Sequence, residues 1–471
     1  MLSLWRNRTA RRAPELATVL CILVASLAAC RKKAVPNKIG GPPAGSASAV
    51  ARASEPQAAF ACRALANGPA LVLGSPPAKA PRLDDEQDEE DRDVELPFAV
   101  ELGSARADAQ RFAVGGLESQ RGQNHAFVAL TNADGSSGTR VELGRVFGDV
   151  EPPALAPHKG GFVAVIADSD ASSVVLRLVA LDPPFDEKSV RRGGEISGVR
   201  RDAAAFSFEI SGSDGLVAFT KLEKGRGSVA LARIDLEKLT PKGEVAAVAS
   251  SRPGEMESPR LVKRAGGYLL AFIVRGAATP PKAALGKPSE YDAGLTEQTL
   301  VDEGPSAIEV VPLSESGTPT GAPHRITPNT AHVIAFEMAP TNDGGALVVY
   351  RDDHEGPGLA RPGAEAVLVR PDGSTASHSW DLGETAGLPS LLFDATPPSG
   401  RPWAWLSVPS EAESRVTPLA ANPLELGELK SAPELAASEL LAAASGRLLR
   451  ARTRGGQRLL SVVDCAPAAA P

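Results

Sequence analysis

Short apolar runs recur along most of this chain, several opened by a glycine-rich step and led in by Pro-x-Leu. The clearest copy starts at Pro153-Ala154-Leu155 and passes through Gly160-Gly161 into Phe162–Ile166. It then turns at Asp168-Ser169-Asp170 into Val174–Leu178. Apolar runs of this length, bounded by turn formers, predict strand, tight turn, strand. The order returns at Pro259-Arg260-Leu261, with Gly266-Gly267 leading into Tyr268–Phe272. Looser copies occupy Asp214–Phe219, Gly344–Tyr350 and Pro402–Leu406. Gly160, Asp214 and Gly266 are separated by 54 and then 52 residues. A unit of several strands repeating at about 50 residues predicts an all-β chain folded as a β-propeller. Seven blades is the preferred number, and six or eight would leave the architecture intact. Val163, Leu216 and Leu269 should then occupy equivalent inner strands of successive blades. The longer step of 78 residues from Gly266 to Gly344 is explained by an insertion over 276–304, rich in Pro, Ala and Gly.

Two weaker strand candidates, Phe60–Leu65 and Pro69–Gly74, lie far upstream of the repeats, and consecutive strands are expected again over 440–463. A propeller must join its first blade to its last, so an N-terminal strand beside C-terminal strands in one sheet is the expected closure. Ser431–Ala444 is ambiguous. Ser431, Pro433 and Glu434 could cap a helix, yet Pro433-Glu434-Leu435 repeats the Pro-x-Leu lead-in, which favours strand. The body is therefore expected over 59–465, with a fraying tail at 466–471.

Composition agrees with this picture. Among 471 residues are 45 Gly and 40 Pro, and only 4% are aromatic, a balance of frequent turns and short strands. Eight of the ten residues in Asp84–Asp93 are acidic, which predicts a solvated loop. The stretch lacks the Asp-x-Asp-x-Asp-Gly spacing that wraps calcium. Structural calcium is the one cofactor this acidity leaves open; otherwise none is expected.

The first 29 residues are of another kind. Arg6, Arg8, Arg11 and Arg12 precede an apolar stretch, Leu16–Ala29, too short for a spanning helix, which reads as a signal peptide. It ends Leu27-Ala28-Ala29-Cys30. In this stretch the chain resembles bacterial lipoprotein precursors. The resemblance implies cleavage before Cys30, diacylglycerol on its sulfur and attachment to a membrane through that lipid. The residue after the cysteine is Arg31 rather than Asp, which by the same resemblance implies outer-membrane sorting. Arg31, Lys32 and Lys33 could rest against anionic headgroups. Residues 30–58 then form a lipidated N-terminus and flexible tether, Pro-, Gly-, Ala- and Ser-rich over 36–56. Removing 1–29 takes away four Arg and one Glu, leaving 46 basic against 56 acidic residues. That balance weighs against a nucleic-acid partner.

Candidate chemistry is sparse. Once Cys21 leaves with the signal and Cys30 carries lipid, Cys62 and Cys465 remain. In an oxidising compartment they are expected to form a disulfide that locks the closure, with Cα atoms roughly 4.4–6.8 Å apart. The densest polar cluster is Asp352-Asp353-His354-Glu355, where oxygen and imidazole ligands could hold a divalent ion. It directly follows an apolar run, so an exposed turn is the favoured reading. Asp168 and Asp170, flanked by serine, read as an Asx turn. Trp380, Trp403 and Trp405 could stack on a glycan. Trp403 and Trp405, sharing one face of a strand, are expected instead to pack between blades. No Gly-x-Ser-x-Gly elbow occurs. The sialidase repeat Ser-x-Asp-x-Gly-x-x-Trp is approached only by Ser211-Gly212-Ser213-Asp214-Gly215, which has Ser where that repeat has Asp. The leading functional expectation is a lipid-anchored protein of the cell envelope that binds or scaffolds a protein or glycan. The alternative is a glycan-active hydrolase, which should gather acids with shifted pKa values in the central funnel.

Overall fold

The structure is a computed structural model that describes residues 60–66, 68–74, 100–108, 110–120, 123–148, 150–169, 174–200, 205–223, 226–276, 305–352, 363–381, 388–394, 397–398, 403–408, 415–419, 430–431, 433–435, 438–454 and 456–467. The signal segment, Cys30, the tether, the acidic stretch 84–93 and residues 277–304 lie outside the described residues.

Within the body the fold is a β-propeller. The described strands form four separate four-stranded sheets, a five-stranded sheet that also pairs Leu71–Leu73, and a nine-stranded sheet that spans two blades; together they make seven blades of antiparallel neighbours, in chain order from the inside outward except where the N-terminal strands complete the last. Blade 1 comprises Val100–Ala107, Arg111–Gln120, Gln123–Asn132 and Gly138–Val146. Blade 2 comprises Ala154–His158, Gly161–Ser169, Val174–Leu181 and Val190–Val199. In blade 3, Phe206–Ser211, Asp214–Glu223 and Arg226–Asp235 are edged by the short strands Thr240–Pro241 and Ala246–Ala247. Blade 4 holds Glu255–Arg264, Gly267–Arg275, Ser306–Leu313 and His324–Arg325, and blade 5 holds Val333–Pro340, Ala346–Asp352, Gly363–Val369 and Thr375–Asp381. Blade 6 is Ser390–Phe393, Ala404–Val408, Arg415–Leu419 and Lys430–Ser431. Blade 7 is Ser438–Ala444, Arg447–Arg454 and Gln457–Pro467, completed on the outside by Phe60–Ala64. Each first strand packs against the first strand of the next blade, and blade 7 returns to blade 1, so the ring is closed. Blades 2 and 3 also share one bridge, Val199 with Lys221.

Val163, Leu216 and Leu269 are equivalent, as expected, but they sit in the second strands of blades 2, 3 and 4 rather than the innermost ones. The reason is burial. A second strand is flanked on both edges and covered on both faces by neighbouring blades, so it reads as a continuous apolar run. The innermost strands, such as Ala154–His158, have fewer covered positions and a mixed sequence.

The Gly-Gly step has two separate causes. Gly160, Gly266 and Gly344 turn the chain with φ of 75°, 77° and 87°, where a side chain is disfavoured. The second glycines make room. A Cβ on Gly161, Gly267 or Gly345 would lie 2.3, 2.1 or 2.2 Å from the carbonyl oxygen of Leu181, Leu313 or Val369. Each of those residues ends the third strand of its own blade. The motif therefore marks where a hairpin passes against the end of the third strand.

The apolar core lies between blades. Leu269, Ala271, Ile273 and Ile308 of blade 4 meet Phe336, Met338 and Val348 of blade 5. Blades 7 and 1 meet through Leu449, Leu460 and Val462 against Phe112, Val114 and Phe127. At about 1.5–3 kcal/mol for each fully buried large side chain, these interfaces hold the ring together.

Closure follows the expected plan. Phe60–Ala64 pairs with the end of Gln457–Pro467 in the register Phe60 with Pro467 through Ala64 with Val463, so that strand continues two residues beyond 465. Cys62 and Cys465 are direct partners and form a disulfide. Their Cα atoms are 4.1 Å apart, closer than the expected window. The Cys62 N–H donates to Glu434 Oε1 (3.0 Å) and the Cys465 N–H to the Gly446 carbonyl (3.4 Å), so neither bonds across the pair. Opposed residues without mutual hydrogen bonds stand at the narrow spacing of an antiparallel ladder. The ambiguous segment resolves into a 3₁₀ turn, Pro433–Leu435, followed by strand Ser438–Ala444. That turn is clamped: Arg450 and Arg452 donate to the Glu434 carbonyl at 2.7 and 2.9 Å, while Leu435 is fully buried.

Candidate functional site

Antiparallel neighbours place the ends of first and third strands on the same side of a blade. On that side, the last residues of the first strands of blades 2, 3 and 4 surround an open cleft of about 420 Å³. Its lining includes His158, Lys159, Glu209, Ile210 and Lys263. Lys159 (φ 48°) and Gly160 are the two central residues of the hairpin after Ala154–His158, the positive-φ pair that a two-residue turn favours. The hairpin carries Lys159 to the rim, where its ammonium pairs with Glu237.

Glu209 anchors the cleft. Arg106 of blade 1 donates from Nη2 to Glu209 Oε1 at 3.2 Å, an ion pair from blade 1 to blade 3 past the end of the first strand of blade 2. The Glu209 side chain keeps 20% of its surface accessible, and burial still pushes its carboxyl above the usual carboxylate range. Arg106 and Lys263 pull in the opposite direction without cancelling that effect. His158 is pushed below its ordinary value, first by burial and then by the adjacent Lys159 charge. Behind the cleft, burial raises the Tyr268 hydroxyl to about 12 despite its hydrogen bond with Ser211. Farther round the ring, Arg260 of blade 4 faces Glu337 of blade 5 at 3.8 Å. Arg106 and Lys263 thus act on Glu209, while His158 and Lys159 line the same cleft. The expected gathering of acids in the funnel is represented, among the described residues, by one carboxyl with a raised pKa whose nearest charges are cations.

The residues singled out from sequence are dispersed. Asp352 accepts the His332 N–H at 2.9 Å, tying the end of one strand to the entry of blade 5. Asp353, His354 and Glu355 lie outside the described residues. No group of three or more potential metal ligands occurs among the described residues. The Asx turn expected at Asp168 runs into residues 170–173, outside the described residues. Asp168 accepts the Phe147 N–H (2.9 Å) across to the loop from blade 1 and pairs with Arg177 at 3.3 Å; Asp170 is not described. Trp403 and Trp405 are buried between blades but do not share a face. Trp403 precedes its strand and packs with Leu347 and Trp380 toward blade 5. Trp405, inside the strand, packs with Leu440 and Val463 of blade 7. The sequence reading passed over Arg106, Glu209 and Lys263. Their signal was charge inside the strands that lead into each apolar run.

No protein-family description matches the chain, and no curated protein matches it. Among solved structures it is similar to an α-L-arabinofuranosidase from Lactobacillus brevis, with 12% identity and a TM-score of 0.35 over 58% of this chain and 91% of that one. An endo-arabinanase from Bacillus licheniformis gives 13% identity and a TM-score of 0.32 over 58% and 95%. A polysaccharide lyase gives 8% identity and a TM-score of 0.48 over 78% and 90%. The reading of the cleft therefore rests on its own side chains.

Proposed function

We propose that this protein is a lipid-anchored binding protein of the bacterial envelope, held by lipid on Cys30, probed from solution by an anionic glycan at the cleft around Glu209. The observation that carries the reading is the pair of cations, Arg106 and Lys263, acting on one carboxyl that is itself biased toward the neutral form, with His158 on the same cleft wall. An incoming carboxylate meets these donors, and protonation of Glu209 removes the opposing charge beside them. The expected result is saturable binding of a polyuronate by calorimetry, with neutral arabinan at least about tenfold weaker. Affinity should rise as the pH falls from about 7 to about 5, because the bound anion further favours protonated Glu209 and His158. Glu209→Gln should flatten that profile, and Lys263→Gln should weaken binding. Equal binding of neutral and acidic polymers would reject this reading.

The second reading is glycan cleavage with Glu209 as proton donor, and its raised pKa is the observation in favour. Release of reducing ends from arabinan or polyuronate, abolished by Glu209→Gln, would establish it in place of simple binding.

A further inference from the structure

A second cavity, of about 300 Å³, opens between blades 1 and 2 on the side where their third strands end. Blade 1 contributes Arg111, at the start of its second strand, with Asn132 and Thr139 from its last hairpin. Blade 2 contributes Pro183, Pro184 and Phe185 from the turn after Val174–Leu181. The Arg111 guanidinium stacks over the Phe185 ring, with Cζ 4.3 Å from the centroid. Phe185 is itself held in the left-handed region at φ 67°, leaves only 8% of its surface accessible and rests 6.4 Å from Phe162. An aromatic residue persists in that conformation only where its surroundings impose it. The stack therefore fixes the plane and direction of the guanidinium.

Among the described residues that guanidinium pairs with no carboxylate: its Nη1 is closed off without a hydrogen-bond partner, and the rest of the side chain, only partly buried, lines the cavity. A cation at a cavity wall with no counter-charge of its own is stabilised by an anion entering that cavity. A planar guanidinium matches a carboxylate best. The rest of the lining has two characters. Leu130 and the two prolines form an apolar wall, whereas Asn132, Ser137 and Thr139 form a polar one. Asn132 donates through Nδ2 to Ser137 Oγ at 2.9 Å, and that bond leaves the serine O–H hydrogen to face a ligand. A pyranose ring has the same division, with an apolar C–H face and a hydroxyl rim.

We infer that the cavity between blades 1 and 2 is a binding site for one uronic-acid unit of a glycan, with Arg111 receiving the carboxylate and the Asn132–Thr139 hairpin receiving the hydroxyls. It rests on the proposed function only for the class of polymer, since its residues are distinct from those around Glu209. Asp182, just before the prolines, contributes to the field at His158, so the two sites flank the same part of blade 2.

The test uses the mature, oxidised protein and sodium D-glucuronate, with D-glucose and N-acetyl-Ala-Ala as controls, followed by calorimetry or ligand-observed NMR. Glucuronate is expected to bind at least about tenfold more tightly than either control, and Arg111→Gln to lose at least about tenfold. Ser137→Ala with Thr139→Val alters only the rim and should weaken binding several-fold, which keeps the question open to decision should Arg111→Gln fail to fold. Unchanged affinity in the rim variant would overturn the inference. Equal binding of glucose would show that the carboxylate is not read, and tighter binding of the dipeptide that a peptide end is the ligand; either overturns it. Asp372→Asn, in an exposed turn of blade 5 outside both sites, should leave glucuronate binding intact. Loss in Lys263→Gln with retention in Arg111→Gln would assign the sugar to the Glu209 cleft alone. Failure of the cleft proposal shows separately, as unchanged polyuronate binding in Lys263→Gln.

Discussion

Reducing the Cys62–Cys465 bond tests how the ring is held shut. The two residues are 403 positions apart, and a loop of that length costs the unfolded chain about 20 cal/mol/K, or about 6 kcal/mol at 25 °C, in the chain-entropy account. With an unfolding entropy of about 2.1 cal/mol/K per residue over roughly 400 residues, the midpoint should fall by about 7 °C. The native strands lose little, because Phe60–Ala64 still pairs over five residues and the blade 7–blade 1 interface keeps its apolar contacts. Calorimetry and far-ultraviolet dichroism of oxidised protein, reduced protein and a Cys62→Ala/Cys465→Ala double variant would measure this. Strand signal at 25 °C should persist while the midpoint drops, and the reduced and double-variant proteins should agree. A midpoint shift below about 2 °C would show that the constraint does not act through the unfolded chain. Loss of the strand signal at 25 °C on reduction would show instead that the bond holds a ring the other contacts cannot.

Three further outcomes are expected. Asp394 is fully buried and accepts the N–H groups of Ser445 (3.0 Å) and Gly446 (2.7 Å). Asp394→Ala should therefore lower stability by about 3 kcal/mol in urea titration, and Asp394→Asn by less. Gly161→Ala places a Cβ 2.3 Å from the Leu181 carbonyl and should cost about 3 kcal/mol, whereas Gly160→Ala has open space and should cost about 1–2 kcal/mol through its positive φ alone; equal losses would contradict the steric account. Cys30→Ser should abolish acyl labelling and detach the protein from membranes, and labelling that persists would reject the lipid anchor.

The parts of the fold that were legible in the sequence were those written in local chemistry. Gly160-Gly161 and Gly266-Gly267 each serve a turn and a close carbonyl within a single blade, so the signal fits inside about fifty residues. Cys62 and Cys465 were readable by elimination, since the expected signal cleavage and the proposed lipid would take up the other two thiols. The cleft was not legible because Arg106 and Glu209 are 103 residues apart and meet only when the first strands of three blades converge. Alternation likewise misassigned Trp403, because its strand begins one residue later, at Ala404. Arg111 carried no signal at all; its unpaired nitrogen is a property of the gap between two blades.

The order in which Phe60–Ala64 finds its place has a mechanical side. This strand is the earliest described segment of the chain and the outermost strand of the last blade, and its partners at 463–467 belong to the last described strand. The ring cannot shut, and the thiols cannot meet, until the chain has been delivered as far as that strand. Afterwards, any force applied upstream of Phe60 arrives first at this strand. With the proposed lipid at Cys30, drag between envelope and body would act there. Five ladder pairs alone would have to bear that load, but the covalent link passes it two residues farther on, from Cys62 directly into Cys465 and the interior of blade 7. The bond that closes the ring is thereby also the point at which its mooring line is made fast.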